Sequence, residues 1–298
     1  MSTQCLVIKY AVAIFALVVV FSTCAQAGAT RTFVSTTGND SNTSANCGPL
    51  SPCRTFTAAL SVTNAGGEIV VLTSGGYGPA TISQPVIITA IGVDASISVT
   101  TSGANGLTIN TPGNVTLIGL NLHGEGVGSN GIEVQQVGFL RLYNMLIENF
   151  TQGVDFDVSG NLFIDNSRIN DTGIGIVVSN VSAPAAVHNT SFDGNGRGVL
   201  VNPGHATIVD SSAEYNFIAF IVATGSITLL NDRVTFNSTG LQTDVTGALY
   251  FANSLIANNT TAYHISSGTT MAGTSPGTSL IAPGQTLSGT LSTPITLQ

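Results

Sequence analysis

A period of 21–23 residues runs through the middle of this chain and narrows its possible folds more than any other feature. Cut at Gly131, Gly153, Gly175, Gly198, Ala219 and Gly240, the sequence falls into consecutive lines of one pattern, with spacings of 22, 22, 23, 21 and 21 residues. The lines align on Asn144, Asn166, Asn189, Asp210, Asn231 and Asn253. Two residues before each stand Leu142, Ile164, Val187, Ile208, Leu229 and Phe251, and four before it Leu140, Leu162, Ala185, Ala206, Ile227 and Leu249. Three after it stand Ile147, Ile169, Phe192, Ala213, Val234 and Ile256. A third alternating set opens each line: Ile132/Val134, Val154/Phe156, Ile176/Val178, Val199/Val201, Phe220/Val222 and Leu241/Thr243.

Alternation with period two marks a strand with one buried face. Three such strands per line, separated by Gly- and Asn-containing turns, make one coil of a solenoid. A single coil cannot bury its apolar face, so coils must stack around a shared core. The pattern predicts an all-β chain, a right-handed parallel β-helix with three short strands per 21–23-residue coil. A leucine-rich horseshoe needs a different Leu spacing, and propeller blades are about twice as long. The Asn column reads as structural, because Asn tolerates left-handed backbone and its amide can bond the amide one coil away. A second column, Asn195, Asn216, Asn237 and Asn259, marks another turn.

Composition agrees. Only 7% of residues are charged against 43% hydrophobic, which excludes a disordered chain. The net charge is −8, or −9 without Lys9, and no basic cluster occurs, so nucleic acid is not an expected partner.

The first 27 residues read as a signal peptide. Lys9 precedes an apolar run from Ala11 to Phe21, and Ala25-Gln26-Ala27 is a small-x-small cleavage site before Gly28. The run is too short to span a bilayer, for which about 20 residues are needed, so no transmembrane segment is expected in the mature chain. A retained anchor and lipidation of Cys24 are the alternatives, the latter opposed by the poor match of Phe21-Ser22-Thr23 to a lipoprotein box. Export, to the medium or the cell envelope, makes a Cys47–Cys53 disulfide the simplest state of the two remaining cysteines.

Residues 28–66 read as an N-terminal cap holding the disulfide loop. A short amphipathic helix from Thr55 to Val62 would cover the open end of the stack. The first buried strand is expected at Gly66–Leu72, with others at Ala80–Ile82, Val86–Ala90, Ile97–Val99, Leu107–Ile109 and Val115–Leu117. The β-helix is expected over 67–267, and 268–298 as a C-terminal cap or a Ser/Thr/Gly-rich tail.

Thr32-Phe-Val-Ser-Thr-Thr-Gly-Asn-Asp40, Pro52-Cys-Arg-Thr-Phe56, Ala58-Ala-Leu60 and Gly67-Glu-Ile69, with the later Gly-Ile-x-Val and Asn-x-x-Ile spacing, resemble pectin-lyase-like β-helix proteins. The resemblance covers roughly residues 31–265 and implies the fold. It leaves activity open, since that fold hosts lyases, hydrolases, esterases, adhesins and tailspikes.

One acidic group stands out. Glu133 and Asp155 occupy the same outward position in adjacent coils, and Asp157 follows two residues along. The group is a candidate for paired-carboxylate glycoside hydrolysis or for calcium, and otherwise a solvated surface. No Arg or Lys is expected on its face. The histidines, His123, His188, His205 and His264, fall at different line positions, and only Arg168 and Arg233 share a column. Six Tyr and no Trp leave few aromatics for stacking on sugars. The leading expectation is a secreted or cell-surface β-helix that binds glycans or other surfaces without catalysis and without a cofactor. The alternative is a polysaccharide lyase or glycoside hydrolase.

Overall fold

The computed structural model describes residues 28–273 and 279–292, so the expected signal peptide and Cys24 lie outside the described residues. The chain winds as a parallel β-helix with three faces. The first face is an eleven-stranded parallel sheet that starts with Ala29–Val34 and ends with Thr270–Gly273. The second and third faces are ladders joined through two long strands, Leu120–Gln136 and Leu146–Phe156, which bend around the corner between them.

Every apolar column read from the repeat is a stacked column of the core. Leu140, Leu162, Ala185, Ala206, Ile227 and Leu249 pair in register on the first face, as do Ile147, Ile169, Phe192, Ala213, Val234 and Ile256 on the second. On the third face Val154 lies over Ile176, which lies over Val199. Ile147, Val154, Ile164 and Ile208 are fully buried. Burying such side chains stabilises the fold by about 1.5–3 kcal/mol each.

The expected helix is present as Phe56–Val62. The Thr55 hydroxyl caps it by accepting the Ala58 N–H, and Phe56, Ala59 and Leu60 seal the open end of the core. Cys47 and Cys53 form the disulfide. Cys47 accepts the Phe33 N–H, and the Phe33 carbonyl accepts the Cys53 N–H, which ties the loop to the edge strand.

Three expectations need correcting. The sheet begins earlier than Gly66–Leu72: Ala29–Val34 pairs in parallel with Thr63–Val71, and the Arg31–Glu68 ion pair at 2.6 Å lies across them. Parallel strands continue past residue 267, since Thr270–Gly273 stacks on Ala248–Ala252. The amide stacking assigned to the first Asn column is best developed in the second. The first-corner residues Asn144, Asn166, Asn189, Asp210, Asn231 and Asn253 all have positive φ, yet their side chains meet only in pairs, such as Asn166 to Asn144 at 2.6 Å. Buried Asn195, Asn216, Asn237 and Asn259 instead form an unbroken ladder that ends on Gln285. Inside the corner, away from water, each amide must find protein partners, and the coil above supplies them.

The uneven 21–23-residue spacing has one source. The turn at the third corner takes up residues 179–183 in one coil and only 202–204 in the next, while in the coils that open from Gly131 to Gly240 the other two corners keep constant length; before that, the second corner within Leu120–Gln136 is longer, between His123 and Gly128.

Candidate functional site

On the third face, Glu133 and Asp155 lie in register, as their 22-residue separation requires. The Asn130 amide donates to both carboxylates, at 3.4 Å to Asp155. Burial pushes the Asp155 carboxyl up to about 6, and the charges of Glu133 and Asp157 add to the effect. Asp157 lies beyond the end of the strand Leu146–Phe156, exposed at the start of the third-corner turn, rather than extending the strand face. Among the described residues no group of three or more His, Cys, Asp or Glu side chains is spaced to hold a metal ion. The expectation that no basic residue shares this face does not hold, because Arg197 stacks between Ile174 and Ile218 on it.

The second face gathers more chemistry, and sequence reasoning missed it. The residues on either side of its inward column point outward. On the far side of each three-residue strand these are His123, Glu148, Asn170, Asp193, Glu214 and Thr235, one per coil and in register. On the near side stand Leu146, Arg168, Ser191, Ser212 and Arg233. His123 Nδ1 lies 2.7 Å from Glu148 Oε1, both side chains about a quarter exposed. Glu148 Oε2 accepts the Asn170 amide at 3.2 Å. Arg168 reaches Asp193 at 3.7 Å, and Arg233 pairs with Glu214, which also accepts the Thr235 hydroxyl. Burial raises the Asp193 carboxyl above the usual carboxylate range, against the pull of Arg168. The signal lay in the repeat: these are the second and fourth positions after the left-handed corner residue, flanking a core column already identified.

Along the first corner runs a shallow groove. One stretch, about 400 Å³, is lined by Asn144, Asn166, Ser167, Arg168, Asn189 and Ser191. The next, about 370 Å³, shares Asn189 and Ser191 and continues past Ser212 to Asn231 and Arg233. Its walls are amides, hydroxyls, the Asp210 carboxylate and the two guanidinium groups, all of which can bond hydroxyl-rich ligands, with Met145 and Leu146 as the apolar part. Beside it, on the outer side of the first face, Tyr143, Phe163 and His188 contact one another at 5.7 and 5.2 Å between centroids, and Arg141 sits 3.7 Å over the Phe139 ring. A separate depression at the N-terminal end, about 350 Å³, is lined by Ser61, Thr63 and Gln84 and carries no charged side chain.

The other histidines stay apart from this stripe. His205 meets the Ser226 hydroxyl at 2.9 Å on the first face, and His264 stacks beside Gln242 on the third.

Among solved structures, an alginate lyase from Paenibacillus sp. str. FPU-7 is similar at 17% identity and a TM-score of 0.55, covering 81% of this chain and 99% of that one. Pectate lyase Pel9A is similar at 14% identity and 0.50, covering 89% and 78%. ORF18 of Geobacillus virus E2 is similar at 11% and 0.50, covering 78% of this chain and 54% of its own. At these identities the likeness is one of fold. No curated protein sequence matches the chain. The model of the right-handed β-helix region matches residues 81–234, more than half of the chain and the whole run of coils around the groove, and the protein belongs to that right-handed β-helix family.

Proposed function

We propose that this is an exported β-helix protein that binds polysaccharide chains along the first-corner groove and the second face. One observation carries the reading: the groove runs over consecutive coils and is lined by stacked amides and hydroxyls with Arg168 and Arg233 among them. A polymer of repeating sugars matches a wall whose donors and acceptors repeat once per coil, about 4.8 Å. Both arginines are already paired with carboxylates one coil on or one coil back, so they serve as hydrogen-bond donors rather than as free cations for a polyanion. The leader sequence and the Cys47–Cys53 bond support export. The fold likeness to an alginate lyase and a pectate lyase supports a polysaccharide partner.

A second reading, catalysis by a lyase or hydrolase, is favoured by the His123–Glu148 pair. A carboxylate that orients an imidazole is an arrangement suited to a general base. Affinity electrophoresis against a polysaccharide panel, with product analysis of the same samples, separates the two. Retarded migration that is lost in Arg168→Ala/Arg233→Ala, without products, supports binding. Cleavage products that vanish in His123→Ala replace it with the enzyme reading. No retardation and no products overturn both.

A further inference from the structure

The geometry points to a stacking subsite for a neutral hexopyranose ring at the second corner, formed by Tyr215, Phe236 and Phe217. It rests on the glycan-binding reading and extends it across the second face, whose three-residue strands separate this corner from the groove by about 10 Å.

The second corner has its own left-handed column: Asn149, Asp171, Gly194, Tyr215, Phe236 and Asn258, all with positive φ. Asn, Asp and Gly are the residues that tolerate this conformation, and a bulky aromatic is disfavoured in it. Tyr215 and Phe236 therefore work against the backbone, and they gain little burial in return. Tyr215 is 66% exposed, Phe236 46%, and the neighbouring Phe217 67%. Fold stability does not explain three exposed aromatic rings in two successive coils at positions where the chain's other coils place Asn, Asp, Gly, Ser or Thr.

Their arrangement is that of a platform. The Tyr215 and Phe236 rings are parallel to within 11°, with centroids 5.5 Å apart. Phe236 covers one face of Tyr215, and the other face looks toward the preceding coil, where the corner residue is exposed Gly194. A Cβ on Gly194 would lie 2.6 Å from the Asp171 carboxylate, so that coil stays without a side chain and leaves a notch. An aromatic face on one side and a carboxylate on the other suit the C–H face and the hydroxyl edge of a sugar ring.

The surroundings select the class of sugar. Asp171, Asp193 and Glu214 flank the rings, Arg168 and Arg233 are paired with the last two, Arg197 lies in register beside Ile218 next to Phe217, and the chain carries a net charge of −8. A uronate polymer finds no net positive charge at this corner and meets a net negative chain, whereas an uncharged polymer needs neither. A second copy of the chain is a poorer occupant. Three rings of about 150–250 Å² each, already partly covered, fall short of the roughly 800 Å² per partner of a stable interface, and their rim is charged.

Calorimetry with cellohexaose, xylohexaose, mannohexaose and hexagalacturonate tests the proposal on the wild type and on Tyr215→Asn/Phe236→Asn. Asn149 and Asn258 hold the same backbone in the same column, so the variant is expected to melt at or above the wild-type temperature. At least one neutral hexasaccharide should bind the wild type, with affinity in the variant reduced about tenfold or more, in the range of an aromatic contact residue. Phe217→Ser, copying Ser238 one coil on, should lower it in the same direction. Neutral binding unchanged in the aromatic variant but lost in Arg168→Ala/Arg233→Ala overturns the subsite and leaves the groove. Binding of hexagalacturonate alone overturns the neutral class. Binding of none of the four overturns the subsite, and retardation by another polymer in the affinity panel then keeps the groove reading separate. A wild-type dimer in sedimentation that the aromatic variant abolishes assigns the rings to self-contact and overturns the proposal.

Discussion

Asp232 accepts the backbone N–H of Ser211 through Oδ1 at 2.8 Å, while its Oδ2 is buried without a hydrogen-bond partner among the described residues. Ser167, Thr190, Ser211 and Ser254 hold the same position in neighbouring coils, and the serine hydroxyls among them cap the N–H one coil back. Asp232 does a serine's work with a second oxygen left over, and it is only 2% exposed. Burial pushes its carboxyl up to about 8, against an ordinary value of 3.8. The folded state thus holds this proton more tightly than the unfolded chain. The associated stability is complete below about pH 4 and is lost as pH rises through about 8, by at most about 1.4 kcal/mol per pH unit. Asp232→Ser should therefore raise the melting temperature, by more at pH 8 than at pH 5. Melting curves across that range check it, and a difference that does not grow with pH would show that Asp232 is solvated.

The two Asn columns should respond differently to truncation. Asn216 Oδ1 accepts both the N–H and the amide of Asn195, and its Nδ2 donates to Phe192 and Asn237, all inside the corner. Asn216→Ala leaves several buried groups unpaired and should cost ~3 kcal/mol or more. Asn166 is exposed, and Asn166→Ala loses one hydrogen bond and places Ala at φ 48°, for about 1–2 kcal/mol. Asn166→Gly should recover most of that loss. Denaturant unfolding of the three variants orders them, and equal costs would mean the buried ladder has no special weight.

Loss of the disulfide should act locally. Its loop spans a sequence separation of 6, and loop closure of that size stabilises by about 2 kcal/mol. In Cys47→Ser/Cys53→Ser, amide exchange should quicken in Ala29–Val34 and around Thr55, with coils beyond residue 107 unchanged. Exchange that quickens along the whole solenoid would mean that the cap holds the stack together.

Asp155 should titrate near pH 6. Carboxyl carbon NMR should place one apparent value there, and Glu133→Gln should lower it without restoring the ordinary range, because burial is the larger cause. Two carboxylates and an amide fall short of the six to eight oxygens of a calcium site. Millimolar calcium should therefore leave the melting temperature within about a degree. A calcium-dependent rise that disappears in Asp155→Asn/Asp157→Asn would instead establish a cation site here.

The amino-acid sequence alone determined the solenoid, the inward columns and the left-handed first corner. Packing forces Leu140, Leu162 and Ala185 to recur once per coil, and each coil must bury the same face, so the register is written as periodicity. The Thr55 cap and the helix behind it were legible for a similar reason, since capping and amphipathic spacing are local. Outward positions carry no such constraint. His123 and Glu148 stand 25 residues apart, Arg168 and Asp193 also 25, and Tyr215 and Phe236 21, with nothing in their neighbours to link them. Only the stacking of coils, with the length differences absorbed at the third corner and, after His123, at the second, brings these side chains together. Ala29–Val34 escaped notice because its strand character comes from pairing with Thr63–Val71 at the sheet edge, a contact no local pattern encodes.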